Sequence, residues 1–305
     1  LTGDHVFADD TPMPTLAPGL GKTKRGQFWV YSQQQQGNRP GMAIYQYTTS
    51  REGKHPQAFL EQFRGYVQTD AYAGFNGLFA VNEPGKDKQK KRKKKPPEEE
   101  NPDQEKQKPL RREVGCWAHA RRRLVAIVRQ EPGSRAQIPL RMIQELYALD
   151  KQVKASGLPE AQQGMWRRKH SKQIIKKLDK WLRKEQKAVP PKSAFGKAIA
   201  YLLNHWRALT IFRKDGRLEL DNNRSERAMR PIALGRKNYL FMGSPQSGKA
   251  AAIVYSLIAT CQQHKVDPEA YLKDVLERVS THPQQRIKEL LPYNWQPLTA
   301  LSQAA

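Results

Sequence analysis

The chain has 305 residues and a formal net charge of +25, from 54 basic and 29 acidic residues. This excess of positive charge implies a polyanionic partner, with nucleic acid as the leading candidate. Two cysteines are too few for a disulfide framework, and no run approaches the roughly 20 apolar residues of a spanning helix. We expect a soluble, intracellular protein, and because the chain begins with Leu we expect it to be part of a longer one.

The first eighty residues predict strands around one short helix. β-Branched and aromatic residues mark strands at 5–9, 27–33 and 43–49, which Pro and Gly separate. Residues 55–63 have helical spacing, and residues 65–72 return to strand character. The predicted order is therefore β-β-β-α-β.

A charged segment, a strand and a helical block follow. Residues 84–112 contain almost nothing that can be buried, which predicts a solvated, mobile insertion; a DNA-tracking or localisation arm is the alternative. Residues 114–119 (VGCWAH) predict a fifth strand. From 120 to 215, apolar residues recur three or four apart, which predicts helices. Towards the end of the chain, Asp267 and Pro268 predict the N-cap and first turn of a further helix.

Three carboxylates are candidate ligands of a divalent cation. Asp9 and Asp70 lie at or near the ends of predicted strands, and Glu226 lies in the segment DNNRSERAMRP. Close carboxylates repel each other unless a cation such as Mg²⁺ neutralises them. The structural alternative for Glu226 is a capping box that begins at Asn223. Strand alternation alone does not choose between Asp9 and its neighbour Asp10, because adjacent side chains point to opposite faces.

Cys116 and His119 form a C-x-x-H motif with metal-ligand spacing. A zinc site needs two further ligands, and the second cysteine, Cys261, is placed at the end of a predicted helix. Packing is therefore the favoured role for Cys116, and substrate contact is a role for His119.

Basic residues surround the predicted carboxylate site in sequence and are candidates for contacts with DNA phosphates. Arg230 is four residues after Glu226 on a predicted helix, so an ion pair between the two is the alternative. The remaining candidates are Arg121, Arg122, Arg227, Arg236 and Lys237.

The segment FMGSPQSGKAAA resembles a phosphate-binding P-loop in its spacing of Gly243, Gly248 and Lys249. A P-loop requires Ser or Thr after the Lys, and position 250 is Ala. The chain that follows is predicted to be helical, whereas a P-loop domain continues with parallel strands. We therefore expect no ATP hydrolysis, and interpret the segment as a strand-to-helix turn whose amides and Lys249 lie near DNA phosphate.

Several of these segments occur together, in order, along most of the chain. They are HVFADDTPMPTL, GQFWVY, AIYQY, HPQAFLEQFRGYVQTDAYAGFNGL, CWAHARRR, KSAFGKAIAYLLNHW, LELDNNRSERAMRPIALGRKNYLFMGS and VDPEAYLKDVLERV. In this combination the chain resembles the IS66 family of bacterial insertion-sequence transposases. The resemblance implies an α/β, ribonuclease-H-like mixed sheet with an all-α insertion and a helical C-terminal tail. It also implies an Asp-Asp-Glu active site at Asp9, Asp70 and Glu226, and so chooses Asp9 over Asp10.

The resemblance further implies the chemistry and the partners. Two Mg²⁺ or Mn²⁺ ions would support cleavage at the element's ends and transfer of the new 3′-OH into target DNA, without ATP. The implied partners are terminal inverted repeats, target DNA, further copies of the chain on paired ends and accessory proteins of the element, in the bacterial cytoplasm at the nucleoid. A catalytically silent DNA-binding protein and a nuclease without strand transfer are the alternatives.

These expectations divide the chain into six parts. They are the first part of the catalytic core (1–83), the charged insertion (84–112), a core strand (113–119), the all-α insertion (120–215), the completion of the core with the Glu-bearing helix (216–264) and the helical tail (265–305).

Overall fold

The computed structural model describes residue 1, residues 3–79 and residues 110–297. Most of the predicted charged insertion, residues 84–109, lies outside these ranges, so the prediction that it is mobile stays a prediction. Its last residues, 110–112, are described, and Arg111 and Arg112 already belong to a strand.

Five strands form one mixed sheet with the order β3-β2-β1-β4-β5. Their bounds are β1 His5–Leu16, β2 Thr23–Gln33, β3 Met42–Thr48, β4 Gly65–Gln68 and β5 Arg111–Val114. The first three strands pair antiparallel, whereas β4 is parallel to both β1 and β5. The α/β class and the predicted order of the first strands are confirmed.

Alongside three short 3₁₀ helices, the described ranges contain nine α-helices. They are α1 Lys54–Phe59, α2 Trp117–Gln130, α3 Gln137–Ala155, α4 Glu160–Ala188, α5 Ala194–Asn204, α6 Trp206–Thr210, α7 Asn223–Tyr239, α8 Pro245–Gln263 and α9 Pro268–Arg278. The prediction of helices between 120 and 215 is confirmed. So is the predicted start of α9, where the Asp267 side chain accepts a hydrogen bond from Glu269 N and Pro268 opens the helix. Across the described residues, none of these helices is long and apolar enough to cross a bilayer.

The sheet is covered on both faces, which explains why β2 is buried almost throughout. On one face, Met13 and Phe28 pack with Met229 of α7 and Ala252 of α8. On the other face, Val6, Ala8 and Trp29 pack with residues around α1, among them Leu60 and Phe75. Because side chains alternate along a strand, Asp9 shares the α7 face with Met13, and Asp10 shares the α1 face with Ala8.

Helices α2 to α6 enclose a third core beside β5. Its centre contains Trp117, Leu124, Ile143 and Leu178, and Val114 of β5 joins it. The helical block is thus fastened to the sheet edge by shared apolar packing.

The bounds of the fifth strand differ from the prediction. Residues 114–119 were predicted as a strand, but β5 ends at Val114 and Trp117 already begins α2. The apolar character of this segment comes from burial against helices, because Val114 and Trp117 belong to the core of the helical block and the Trp117 indole donates to Leu209 O. β1 is longer than the predicted 5–9, and β4 ends at Gln68 rather than continuing towards residue 72.

Candidate active site

Asp9 and Asp10 occupy different environments on β1. The Asp10 carboxylate accepts two hydrogen bonds from Arg51, at 2.5 Å from Nε and 3.0 Å from Nη2, and a third from the Gln27 amide. Its side chain is only 1% exposed, so this ion pair occupies it on the α1 face. Asp9 points to the opposite face, where α7 begins.

Asp70 follows the end of β4 and lies beside Asp9. In the parallel pairing of β1 and β4, Phe7 is opposite Gln68, and two residues further along each strand come Asp9 and Asp70. The Asp70 carboxylate accepts the Tyr72 backbone N–H at 3.0 Å, and the intervening Ala71 has a left-handed φ of 64°. Few non-Gly residues adopt this conformation, and such strain is concentrated at functional sites.

Glu226 reaches the same place from the first turn of α7. Its two carboxylate oxygens both lie 3.3 Å from Arg122 Nη2 of α2. His119, also on α2, lies between two of the acids, with Nδ1 3.6 Å from Glu226 Oε1 and Nε2 4.0 Å from Asp70 Oδ2. Glu226 therefore pairs across elements with α2, and the alternative ion pair with Arg230 is not among the ion pairs of the described residues.

The acids perturb one another electrostatically. Burial raises the pKa of Asp9 to about 8, with further contributions from repulsion by Asp70, Asp10 and Glu226. Burial lowers the pKa of His119, and the negative charge of Asp70 opposes this shift. At neutral pH, Asp9 is therefore protonated when no metal is bound, which reduces the repulsion among the carboxylates. A divalent cation would reduce the same repulsion without a proton.

Buried polar groups that sequence reasoning did not single out fix the approach of α7 to the sheet. Asn222, which is fully buried, donates from Nδ2 to Ala8 O at 2.9 Å, directly before Asp9. Its backbone N–H donates to Cys116 Sγ at 3.2 Å, and its carbonyl accepts the Glu226 N–H. The predicted capping box at Asn223 does not form, since Asn222 precedes the helix and no side chain caps it.

Gln68 of β4 completes this fastening. Its amide donates to Glu219 O at 2.9 Å and to Asp221 O at 3.0 Å, so the segment before α7 is tied to the strand that precedes Asp70. These contacts join residues more than 100 positions apart, and no local pattern predicts them.

Cys116 and His119 remain adjacent to this cluster. Cys116 Sγ, a ring nitrogen of His119 and a Glu226 oxygen all lie within 4.8 Å of one another, which suits a cation in principle. Burial, however, raises the pKa of Cys116 to about 12, so the thiolate that zinc requires is disfavoured. The Cys116 sulfur already accepts the Asn222 N–H and contacts His119 Nδ1 at 3.2 Å, which agrees with a packing role for Cys116.

Only some of the predicted DNA contacts lie at the carboxylates. His119 and Arg122 touch Glu226, and Arg121 is exposed beside them on α2. Arg227 and Arg230 are exposed on the first turns of α7. Ten residues after Glu226, about 15 Å along the helix, Arg236 donates to Pro12 O at 2.6 Å and so anchors α7 to β1. Lys237 and Lys249 are exposed beyond it.

Comparison with known families gives the chain its affiliation. Residues 1–250 match the model "Transposase IS66 family", and residues 256–293 match the model "IS66 C-terminal element". The chain belongs to the IS66 transposase family. The family resemblance drawn from the sequence motifs is thereby confirmed.

Relatives of this IS66-family chain occur in Sinorhizobium fredii (strain NBRC 101917 / NGR234). The uncharacterized protein y4hP is 32% identical over 97% of the chain, and the uncharacterized protein y4qI is 33% identical over the same share. These matches cover 52% and 51% of the two relatives, so the chain spans about half of their length. No solved structure matches the chain.

The P-loop-like segment of this IS66-family chain forms a helix start. Ser244 caps α8 in a capping box: its hydroxyl accepts the Ser247 N–H at 3.1 Å, and the Ser247 hydroxyl accepts the Ser244 N–H at 2.9 Å. The preceding Met242 makes one isolated β-bridge to Thr15, so the turn follows a single bridged residue rather than a strand. In this arrangement Gly248 lies against the ring of Tyr47, which is a packing role.

Proposed function

We propose that the chain is the catalytic region of a DNA transposase that cuts at the ends of an insertion sequence and joins them to target DNA. The observation that carries the proposal is the convergence of Asp9, Asp70 and Glu226 from two parallel strands and a late helix, with the pKa of Asp9 raised to about 8 by burial and by its acidic neighbours. The strand order, with three antiparallel strands followed by two parallel ones, supports a ribonuclease-H-like core.

Asp9, Asp70 and Glu226 would hold Mg²⁺ or Mn²⁺, and the residues present fit such ions because hard divalent cations prefer carboxylate oxygens. When bound, two such ions activate an attacking oxygen and stabilise a leaving oxygen in phosphodiester chemistry. Asn222 and Gln68 hold α7 against β1 and β4, and so fix the three carboxylates relative to one another.

His119 and Arg122 position Glu226, and they place hydrogen-bond donors and, in Arg122, a positive charge at the edge of the site. Arg122 is 61% exposed, so its pairing with Glu226 is weak enough to be exchanged for a DNA phosphate. In this proposal, the attacking groups are water for cleavage and a DNA 3′-OH for joining. The chain's residues bind and orient them, and neither a covalent enzyme intermediate nor ATP takes part.

The experiment uses a preassembled branched DNA that mimics a strand-transfer product, because recognition of a terminal repeat matters less for it. Resolution of the branch is measured in Mn²⁺ for the unaltered chain, Asp70→Asn and Glu226→Gln, with Glu219→Gln as the matched control outside the carboxylate cluster. We expect resolution by the unaltered chain and the control only. Equal resolution by all four would contradict the assigned residues.

The competing function is a catalytically silent DNA-binding protein, which the net charge of +25 favours equally. Its outcome is salt-sensitive DNA binding by every variant with no resolution, including in a protein extended to the full length of the relatives. Resolution without joined products would instead indicate a nuclease. The homo-oligomer on paired ends, the accessory proteins and the nucleoid location follow from the transposase proposal.

A further inference from the structure

A second concave surface, separate from the carboxylates, lies at the free edge of β5. It is a cleft of about 620 Å³ between β5 and the segment from the end of α5 to residue 214, and we call it the β5 groove. Five of its lining residues are basic and one, Glu113, is acidic. The basic residues are Arg111, Arg112, Arg207, Arg213 and Lys214.

Within the described part of the chain, none of the five basic residues of the β5 groove forms an ion pair with a carboxylate. Arg111 is fixed by backbone carbonyls, at 2.6 Å from Leu60 O and 3.0 Å from Leu78 O. Burial raises the pKa of Glu113. Burial and repulsion from Arg168 lower the pKa of Arg213. Like charges collected in this way favour a polyanionic occupant.

A chain of side-chain contacts links the β5 groove to the backbone of Asp70. His205 lines the groove, and its ring centroid lies 4.6 Å from that of Tyr201. The Tyr201 hydroxyl in turn donates to Asp70 O at 3.3 Å, and the Arg123 guanidinium lies 4.2 Å from the centre of the Tyr201 ring. A path of aromatic and basic side chains therefore leads from Asp70 into the groove.

From the charge of the groove and these contacts we infer that the β5 groove binds the DNA backbone on one side of the scissile phosphate. The inference rests on the proposed function, because it takes the scissile phosphate to lie at Asp9, Asp70 and Glu226. Arg207, Arg213 and Lys214 contact successive phosphates, and the rings of Tyr201 and His205 are of the kind on which unpaired bases stack. The helical block thereby serves as one wall of the DNA path as well as support for the sheet.

The test measures DNA affinity by fluorescence anisotropy without catalysis, in EDTA, over a series of salt concentrations. The groove variant is Arg207→Gln/Arg213→Gln/Lys214→Gln, and the matched control, Lys172→Gln/Lys176→Gln/Lys180→Gln, removes the same charge from an exposed face of α4. We expect the groove variant to lose at least tenfold in affinity, and its plot of log affinity against log salt to become shallower by roughly 2 to 3. The control should keep the slope of the unaltered chain.

Equal losses in the groove variant and the control would overturn the inference, because they would show a diffuse effect of net charge. Competition by a poly-glutamate peptide of matched charge as effective as that by DNA would overturn it too. If Arg213→Gln impairs folding, judged by circular dichroism, the double variant Arg207→Gln/Lys214→Gln alters only exposed side chains and should lose part of the slope. Because no step needs catalysis, groove binding without branch resolution, including in a protein extended to the full length of the relatives, would refute the transposase activity and leave only DNA binding by the groove standing.

Discussion

Asp9 makes the stability of the metal-free protein depend on pH. Its pKa is raised to about 8 in the fold, whereas an unfolded Asp titrates near ~3.9, so the folded state holds an extra proton between these values. Its contribution to stability is full below about pH 4 and is lost as the pH rises towards 8, by up to about 1.4 kcal/mol per pH unit.

The measurement is thermal unfolding in EDTA from pH 5 to pH 8, for the unaltered chain and for Asp9→Asn, which cannot ionise. We expect the stability of the unaltered chain to fall more steeply with pH than that of the variant, and Mg²⁺ to raise the melting temperature of the unaltered chain at pH 8. Parallel pH profiles for the two proteins would contradict the burial of an ionisable Asp9 in this cluster.

Asp10, next to Asp9, is expected to behave as a structural residue. Asp10→Asn weakens the paired hydrogen bonds from Arg51 at a site where the carboxylate is 1% exposed, so we expect a loss of about 1 to 3 kcal/mol in the free energy of unfolding. Stabilisation by Mn²⁺ should persist in Asp10→Asn and disappear in Asp9→Asn. Urea unfolding with and without Mn²⁺ checks both; the reverse pattern would make Asp10 the metal ligand.

Helix α8 protects the edge of the sheet at β3. The Ser256 hydroxyl accepts the Tyr45 N–H at 2.8 Å, and the Thr260 hydroxyl accepts the Ala43 N–H at 3.3 Å, so amides on the free side of this edge strand are satisfied by the helix. Ser256→Ala/Thr260→Val removes both acceptors with little change in volume. We expect a loss of about 1 to 3 kcal/mol per unsatisfied amide and faster hydrogen exchange at Tyr45 and Ala43. Unchanged exchange at both amides would show that the helix does not protect the strand.

Asn222 fastens α7 to β1, and its removal should loosen the whole carboxylate site. Asn222→Ala deletes the hydrogen bond to Ala8 O within a fully buried position, which we expect to cost about 1 to 3 kcal/mol and to weaken stabilisation by Mn²⁺. Asn223→Ala is the matched control, since Asn223 uses its backbone N–H and not its side chain in the contact with Asp221. Chemical unfolding of both variants with and without Mn²⁺ gives the comparison, and equal effects would remove Asn222 from its proposed positioning role.

The elements that sequence alone predicted are those with strong local patterns. β2 and β3 carry alternating or continuous apolar runs, and the helical block has regular three- and four-residue spacing. β1 is longer than predicted. Asp9, Asp10 and two prolines break the apolar pattern on which the prediction depended, although the strand continues through them. The carboxylates of the candidate site were candidates from their positions in the predicted elements, and the family resemblance chose Asp9 over Asp10. Its supports were not, because the contacts of Asn222 and Gln68 depend on how distant segments pack.

At the scale of the whole molecule, the net charge of +25 should support DNA binding whether or not the carboxylates catalyse a reaction. Basic side chains lie both near the carboxylates and in the β5 groove, so the chain should neutralise several DNA phosphates at once. If the chain contacts 6 to 10 phosphates, its affinity for nonspecific duplex DNA should fall by about 10³ to 10⁵ between 50 and 200 mM salt. Because Asp70 and Glu226 contribute negative charge, Asp70→Asn/Glu226→Gln should bind at least as tightly as the unaltered chain while losing branch resolution. Anisotropy titrations at four salt concentrations test this, and a flat salt dependence would mean that the excess charge does not serve binding to DNA phosphates.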